Sequence, residues 1–288
     1  MATRHTWLML AALAVSAWSS TAIAQSNIHL YILDTHTGAV TQATPPMDFE
    51  PYNASFSNDG KELVHDIVPG NLLAVTDLKA GVVTNLGIEG ENAHWSPNGK
   101  YIAYHYWVTT PHQLRVIPAA GGAPVFTRDW AYDPSWSNNS KRIAFMDGLG
   151  YIGTVGLDGT ETNLGYMAWG CNPAYSPDGK LIVYEGDGCW WGYPAQLMAI
   201  PVNENGVALG DPYPITSGAF YASYASFSND GKTIVFSGNA GSDPTEWGLY
   251  TVSVYGGDPV VLFDRPGKGE WDPAYSNNGR YVVFSGPE

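Results

Sequence analysis

The chain has 288 residues and a formal net charge of −14, from 27 acidic and 13 basic residues. Because phosphate binding needs a basic stripe and none is present, this balance argues against nucleic acid as a partner. Charged residues make up only 14% of the chain, whereas glycine (33) and tyrosine (18) are frequent, which is typical of an all-β protein with many tight turns rather than of a disordered one.

The first segment of the chain has the pattern of a secretory signal peptide. Arg4 precedes an uncharged apolar run over 7–15, and Ala22 and Ala24 stand before Gln25 as an A-x-A cleavage site. Serines and a threonine end the run well short of the ~20 residues that span a bilayer, so a membrane anchor is the weaker alternative. We predict a signal peptide over 1–24, a mature chain over 25–288, no membrane span, and a periplasmic or secreted location.

A phrase of six residues recurs six times in the mature chain. It consists of an aromatic residue, a serine, two turn residues, a glycine or serine, and a basic residue. Asparagine, aspartate and glycine tolerate the positive φ of hairpin turns, and a β-rich run follows each copy. The copies are FSNDGK (56–61), WSPNGK (95–100), WSNNSK (136–141), YSPDGK (175–180), FSNDGK (227–232) and YSNNGR (275–280).

Each repeat predicts four antiparallel strands, A to D, in ~40 to 50 residues, which is the size of a propeller blade. The sixth repeat supplies only strands A and B, and segment 28–44 has the pattern of the missing strands C and D. These N-terminal strands would complete the final blade with 270–288 and leave no open sheet edge. We predict an all-β, six-bladed β-propeller. A two-sheet sandwich is the alternative, and it gives no reason for the matching half-repeat.

The phrase YSPDGK, followed by the β-rich run LIVY, resembles the PD40 (WD40-like) repeat of TolB-type β-propellers. The resemblance covers essentially the whole mature chain. It implies the fold more strongly than the function, because the same repeat also occurs in peptidases and polysaccharide lyases. Only three residues separate Ala24 from the first predicted strand. The resemblance therefore predicts a TolB-like propeller without the N-terminal α/β domain of TolB.

The predicted connections lie on two faces of unequal chemistry. The A–B and C–D turns share one face and are polar, whereas the D–A and B–C loops share the other and are aromatic and acidic. Of 11 tryptophans, two lie in the signal peptide and two in the repeat phrase, and the rest fall on D–A or B–C loops. Exposed aromatic patches mark ligand sites. The predicted ligand-binding residues are Trp107, Trp130, Trp169, Trp190, Trp191, Trp247, Trp271, Tyr132, Tyr221 and Tyr224.

Polar residues near the start of strand A should surround the central channel, because strand A is innermost in a propeller. We expect this ring at the channel mouth on the aromatic face. A Ca²⁺ ion held by Asp133, Asp272, Asn92 and Asn172 is one hypothesis; the other is a water-filled channel whose side chains bond the amides of neighbouring blade ends. No other cofactor is expected. The ring comprises Asn53, Asn92, Asp133, Asn172, Tyr224 and Asp272, with His94 two residues after Asn92.

An enzyme is the alternative to a binding protein. His94, His105 and Arg128 are its candidate catalytic residues, as a carbohydrate-active hydrolase or lyase with its site at the channel mouth. An acid–base pair has to converge in a pocket, and no second histidine or glutamate stands at an informative spacing from either histidine. We therefore favour a non-catalytic, monomeric scaffold that engages a peptide segment, an envelope protein or a neutral glycan by stacking on aromatic rings.

The two cysteines predict a disulfide bond. Cys171 opens strand A of the fourth blade and Cys189 follows strand B of the same blade, so both ends of this hairpin reach the same face. An even pair of cysteines in an exported protein indicates a disulfide. The bond would tether the loop GDGCWWGYP (186–194) and stabilise the fold by about 3 kcal/mol in the chain-entropy picture.

Overall fold

The computed structural model describes residues 28–165, 168–186, 196–217, 220–239 and 247–288. Within these ranges the chain forms 24 strands and no helix, and the strands make six four-stranded antiparallel sheets. The described part has no helix of the length and apolarity that crossing a membrane requires. The predicted signal peptide, 1–24, lies outside the described residues.

Each sheet is one blade, and its strands A to D follow one another from the centre outward. The N-terminal strands are β1 (Ile28–Asp34) and β2 (Val40–Gln42). Blade 1 contains β3 (Glu50–Phe56), β4 (Glu62–Val68), β5 (Leu72–Asp77) and β6 (Val82–Glu89). Blade 2 contains β7 (Glu91–Trp95), β8 (Tyr101–Tyr106), β9 (Gln113–Pro118) and β10 (Phe126–Asp129). Blade 3 contains β11 (Ala131–Trp136), β12 (Arg142–Asp147), β13 (Ile152–Gly156) and β14 (Glu161–Asn163).

The second half of the chain continues the same order. Blade 4 contains β15 (Gly170–Tyr175), β16 (Leu181–Gly186), β17 (Gln196–Pro201) and β18 (Tyr213–Pro214). Blade 5 contains β19 (Tyr221–Phe227), β20 (Thr233–Asn239), β21 (Gly248–Ser253) and β22 (Val260–Phe263). Blade 6 combines β23 (Trp271–Tyr275) and β24 (Tyr281–Pro287) with the N-terminal β1 and β2.

The N-terminal strands close the propeller as predicted. Strand β1 pairs antiparallel with β24 in seven consecutive positions, from Ile28 opposite Pro287 to Asp34 opposite Tyr281. At the end of this ladder, Arg280 Nη2 lies 2.7 Å from Asp34 Oδ2. The sixth sheet therefore joins both ends of the described chain, and the prediction of a six-bladed propeller is confirmed.

The repeat phrase forms a hydrogen-bonded turn, shown here for blade 2. The Ser96 hydroxyl donates to Asn98 Oδ1 (2.8 Å) and accepts from the Tyr101 N–H (2.9 Å), and the Lys100 N–H donates to Asn98 Oδ1 (3.0 Å). Gly99 has a φ of +69°, which favours glycine at this position. Serine, the Asn or Asp, and glycine thus each have a role in reversing the chain, which explains why they recur together.

Apolar side chains pack between successive blades rather than in one central core. The described residues contain six hydrophobic clusters, one for each pair of adjacent blades. Trp136 of the repeat phrase shows the arrangement, because it is 6% exposed and its ring stacks on Tyr101 of the preceding blade with centroids 6.3 Å apart. Polar groups therefore line the centre of the propeller.

Candidate functional site

The start of strand A has the same unusual backbone in all six blades. The residue three positions before the aromatic residue of the repeat has a φ between +46° and +55°, and the pairing of strands A and B shifts register there. Asn and Asp tolerate this left-handed conformation better than other residues with a side chain. These six residues, here called the channel ring, are Asn53, Asn92, Asp133, Asn172, Tyr224 and Asp272.

In two blades an acid on strand B joins the channel ring to the next blade. Asp66 Oδ2 accepts from Asn53 Nδ2 (2.7 Å) and from the backbone N–H of Asn92 (3.0 Å). In blade 4, Glu185 Oε1 accepts from Asn172 Nδ2 (2.7 Å) and from the backbone N–H of Tyr224 (2.8 Å). Each carboxyl group therefore binds a side chain of its own blade and the main chain of the following blade.

In blades 3 and 6 the ring aspartate itself makes this connection. Asp133 accepts from Asn92 Nδ2 (2.8 Å) and from the backbone N–H of Asn172. Asp272 accepts from the Ser285 hydroxyl (3.1 Å) and from the backbone N–H of Asn53. These hydrogen bonds are the ones expected if the polar side chains around the channel bond the backbone amides of neighbouring blade ends.

The four carboxyl groups of this network lie at the centre of the propeller, where Asp66 and Glu185 are buried and Asp133 and Asp272 are half-buried. Burial raises the pKa of Glu185 to about 7 and that of Asp272 to about 6. Burial also raises the pKa of Asp133, and raises the pKa of Asp66 well above its usual value. Among the described residues, no Lys or Arg forms an ion pair with Asp66, Asp133 or Asp272. Their hydrogen-bond donors are amide and hydroxyl groups.

A cavity of about 610 Å³ extends from the channel ring to the A–B turns. Within the described part of the chain, every residue that lines it belongs to a strand A or an A–B turn. The described lining therefore reaches the face opposite to the aromatic one, which differs from the expectation that the channel mouth lies on the aromatic face. The residues at the mouth are Asn58, Pro97, Asn138, Pro177, Asn229 and Asn277.

The channel ring was the predicted position of a metal ion. Within the described ranges, no group of three or more His, Cys, Asp or Glu side chains is placed to hold a metal ion. The oxygens of Asp133 and Asp272 accept hydrogen bonds, whereas Ca²⁺ takes 6–8 oxygen ligands at 2.3–2.6 Å. Ca²⁺ at Asp133, Asp272, Asn92 and Asn172 stays a hypothesis, because a group of His, Cys, Asp and Glu side chains does not include asparagine.

The opposite face contains a chain of three hydrogen-bonded titratable groups at blade 2. Glu91 Oε1 lies 2.9 Å from His105 Nδ1, and His105 Nε2 lies 3.2 Å from His112 Nδ1. When both imidazoles are neutral, the carboxylate fixes the proton of His105 on Nδ1, so that its Nε2 accepts from His112 and His112 Nε2 is left as an acceptor. Burial, with a smaller contribution from His105, lowers the pKa of His112.

His105 was a predicted catalytic candidate, but its partners Glu91 and His112 were not predicted. Glu91 pairs with His105 across strands A and B. His112 stands one residue before Gln113, which pairs with Tyr106. The predicted strand pairing could have indicated these partners. Strand C runs back beside strand B after the B–C loop, so residues just before strand C lie near the end of strand B. Spacing along the sequence alone did not indicate them.

The other proposed catalytic residues do not join this chain. His94 lines the central cavity, where burial lowers its pKa to about 4, so the imidazole is neutral at neutral pH. Arg128 lies on the outer strand β10, where its Nε is 3.2 Å from Glu161 Oε1 and its guanidinium lies 4.5 Å from the Phe145 ring centroid. The constellation of His94, His105 and Arg128 that the sequence suggested is not formed.

Exposed apolar side chains gather beside His112, on the loops of blades 2 and 3. Trp107 is 38% exposed, Val108 42%, Trp130 49% and Leu149 71%. The backbone N–H of Trp130 donates to the backbone carbonyl oxygen of His112 (2.7 Å). The Trp130 ring also packs against Gly148, next to Leu149, where an added Cβ would lie 3.2 Å from the Trp130 Cβ. We call Trp107, Val108, Trp130 and Leu149 the blade 2–3 patch.

The other predicted aromatic residues are more enclosed. Tyr132 packs edge-on against His105, with centroids 4.9 Å apart, and Trp271 lies over Gly269. Trp169, Trp247 and Tyr224 are half-buried, and Tyr221 is 37% exposed. Trp190, Trp191 and Cys189 lie outside the described residues, so the Cys171–Cys189 disulfide stays a prediction.

Residues 161–287, less than half of the chain, match the family described as the dipeptidyl peptidase IV (DPP IV) N-terminal region. Among solved structures, the putative TolB from Agrobacterium tumefaciens superposes with a TM-score of 0.72 at 19% identity, covering 92% of this chain and 99% of that one. The fold is that of a TolB-like β-propeller.

Two further solved structures share this TolB-like fold at low identity. TolB from Acinetobacter baumannii has a TM-score of 0.58 at 14% identity, covering 97% of this chain and 68% of that one. An oligogalacturonate lyase from Vibrio parahaemolyticus has a TM-score of 0.56 at 13% identity, with 89% and 78% covered. No curated protein matches the sequence. TolB proteins and an oligogalacturonate lyase thus share the propeller, and function has to be argued from the sites.

Proposed function

We propose that this TolB-like propeller is an exported, non-catalytic binding protein that engages a polypeptide segment on the blade 2–3 patch. The observation that carries the proposal is the exposure of Trp107, Val108, Trp130 and Leu149 on one face. Contiguous exposed apolar side chains of this kind mark interaction surfaces. Tryptophan is also among the residues that contribute most to binding energy at protein interfaces.

The mixed composition of the patch favours a polypeptide over a glycan. Val108 and Leu149 are aliphatic and add apolar area without a ring for a sugar to stack on. Asp129 and Glu91 stand beside the patch, and the chain as a whole carries a net charge of −14. A segment with apolar side chains and a neutral or positive charge would be attracted, whereas an acidic polymer would be repelled.

Selection of peptides from a random library on the immobilised protein tests this proposal, with a glycan array in parallel. We expect the selected peptides to lose roughly tenfold or more in affinity with Trp107→Ala and with Trp130→Ala. Tyr255→Ala is the matched control, because Tyr255 is 87% exposed on a C–D turn of the other face. Peptides that bind both tryptophan variants as well as the parent would contradict the proposal, and Trp-dependent binding of neutral glycans alone would reassign the ligand class.

A second function, carbohydrate-active hydrolysis or lysis, rests on the hydrogen-bonded chain Glu91–His105–His112. A carboxylate that orients one imidazole against another is an arrangement that serves general acid–base catalysis. Turnover of a panel of oligosaccharides by the purified protein tests it. The enzyme hypothesis expects turnover that His112→Ala abolishes and that the conservative variant Glu91→Gln reduces. Turnover that His94→Ala abolishes instead would place the reaction in the central cavity.

A further inference from the structure

The function proposed above leaves the central cavity unused, because the cavity opens on the face opposite to the blade 2–3 patch. Among the described residues that line the cavity, two are acids and none is basic. The acids are Asp133 and Asp272. His94, the remaining imidazole of the wall, is neutral at neutral pH. The charge of the cavity is therefore unbalanced at its inner end.

The inner end of the cavity has more acceptors than donors. Asn53 lines this end of the cavity, and its Oδ1 has no hydrogen-bond partner. Asp133 and Asp272 accept only from amide and hydroxyl groups. A ligand group that brings several N–H donors and a positive charge would match this end.

The walls and the mouth of the cavity are neutral. Ser55, Ser135 and Ser226 belong to the wall, and asparagine and proline residues form the mouth. The volume of about 610 Å³ lies within the ~300–1,000 Å³ of ordinary small-molecule sites. The cavity therefore accommodates a body without charge behind a cationic group.

We propose that the central cavity binds an organic cation, with an ammonium or guanidinium group at Asp133, at Asp272 or at each of them, while its neutral body occupies the space between the channel ring and the mouth. The two carboxyl groups belong to blades 3 and 6, which face each other across the channel. An ammonium brings three N–H donors and a guanidinium five, whereas a bare metal ion brings none to the unpaired acceptors. The cation can belong to a free amine or to a Lys or Arg side chain of a polypeptide.

Isothermal titration calorimetry at low ionic strength and mildly alkaline pH, where the carboxyl groups are ionised, tests the proposal. The probes are cadaverine, a capped pentapeptide with one central lysine, the same peptide with norleucine in place of lysine, and CaCl₂. Asp133→Asn and Asp272→Asn remove the charge with a residue that tolerates the left-handed backbone. Asp258→Asn is the matched control, because Asp258 is an exposed acid on a C–D connection of the same face. Ser55→Phe fills the cavity from its wall without changing charge, and thermal unfolding verifies the fold of each variant.

We expect cadaverine, the lysine peptide or both to bind, and the norleucine peptide and Ca²⁺ not to bind. Asp133→Asn, Asp272→Asn and Ser55→Phe should each weaken binding by roughly tenfold or more, and Asp258→Asn should leave it unchanged. Binding of cadaverine alone identifies a free amine as the ligand, and binding of the peptide alone identifies a polypeptide side chain. Any one of four results would overturn the proposal. They are equal binding of the lysine and norleucine peptides, competition by Ca²⁺, binding that is insensitive to the aspartate variants, and no binding of any cation at about 10 mM. These outcomes are independent of Trp107 and Trp130.

Discussion

Glu185 Oε1 lies 2.8 Å from the backbone nitrogen of Tyr224, so a side chain of blade 4 accepts a hydrogen bond from the main chain of blade 5. Tyr224 holds a φ of +54°, a conformation that bulky residues rarely adopt. Asp66 makes the same connection from blade 1 to Asn92 of blade 2. Buried acids on strand B therefore hold the left-handed ring residues and join neighbouring blades at the centre.

Glu185→Gln should change how stability depends on pH. The pKa of Glu185 is raised from 4.5 to about 7 in the folded state, so the folded protein binds this proton more tightly than the unfolded chain. Wild-type stability then falls relative to the variant as pH rises from about 4.5 to 7, by up to roughly 3 kcal/mol, and the difference is constant outside this window. Urea unfolding at several pH values measures it. Glu204→Gln, at an exposed acid, should give a flat difference.

Asn92→Ala and Asn92→Gly should separate backbone strain from the side-chain hydrogen bond. Both variants lose the bond from Asn92 Nδ2 to the buried Asp133, which we expect to cost about 1–3 kcal/mol. Only alanine must also adopt a φ of +52°, which adds about 1 kcal/mol. Chemical denaturation should therefore rank the stabilities as wild type, glycine variant, alanine variant. An alanine variant at least as stable as the glycine variant would show that the left-handed backbone is unimportant.

Leu30→Ala should destabilise the whole propeller, because Leu30 belongs to the strand that closes it. Leu30 is 0% exposed and packs with Phe56, Leu63 and Val283 between blades 6 and 1. Truncation of a buried leucine costs about 2–5 kcal/mol. Val82→Ala, at a side chain that is 55% exposed, should change stability by less than about 0.5 kcal/mol. Equal unfolding free energies for the two variants would mean that blade 6 does not close the fold in solution.

Cys171→Ser should lower stability by about 3 kcal/mol if Cys171 and Cys189 form the predicted disulfide. Mass spectrometry of peptides under non-reducing conditions identifies the bond directly. Reduction of the wild-type protein should have the same effect on the thermal midpoint as the substitution. A midpoint that is insensitive to reductant, together with separate peptides for the two cysteines, would exclude the bond.

The repeat phrase was sufficient to predict the blades. Ser96, Asn98 and Gly99 act within one turn, so their roles appear in the local sequence, and the same logic holds for the half-repeat over 28–44 that closes blade 6. Ring residues such as Asn53 and Asp272 were also found from the alignment of repeats. The left-handed backbone at these positions was not predicted, although the frequency of Asn and Asp there indicates it in retrospect.

The sequence by itself determined the number of blades, the closure and the residues around the channel, because each depends on a local pattern that recurs at a regular interval. Only the tertiary structure decided that the cavity opens at the A–B turns and that Asp66 and Glu185 complete the network. It also decided that Glu91 and His112 accompany His105, and that Arg128 lies away from them. These relationships join residues that are 7 to 41 positions apart, across strand pairs and between blades. They depend on register and blade packing, which repeat spacing does not specify.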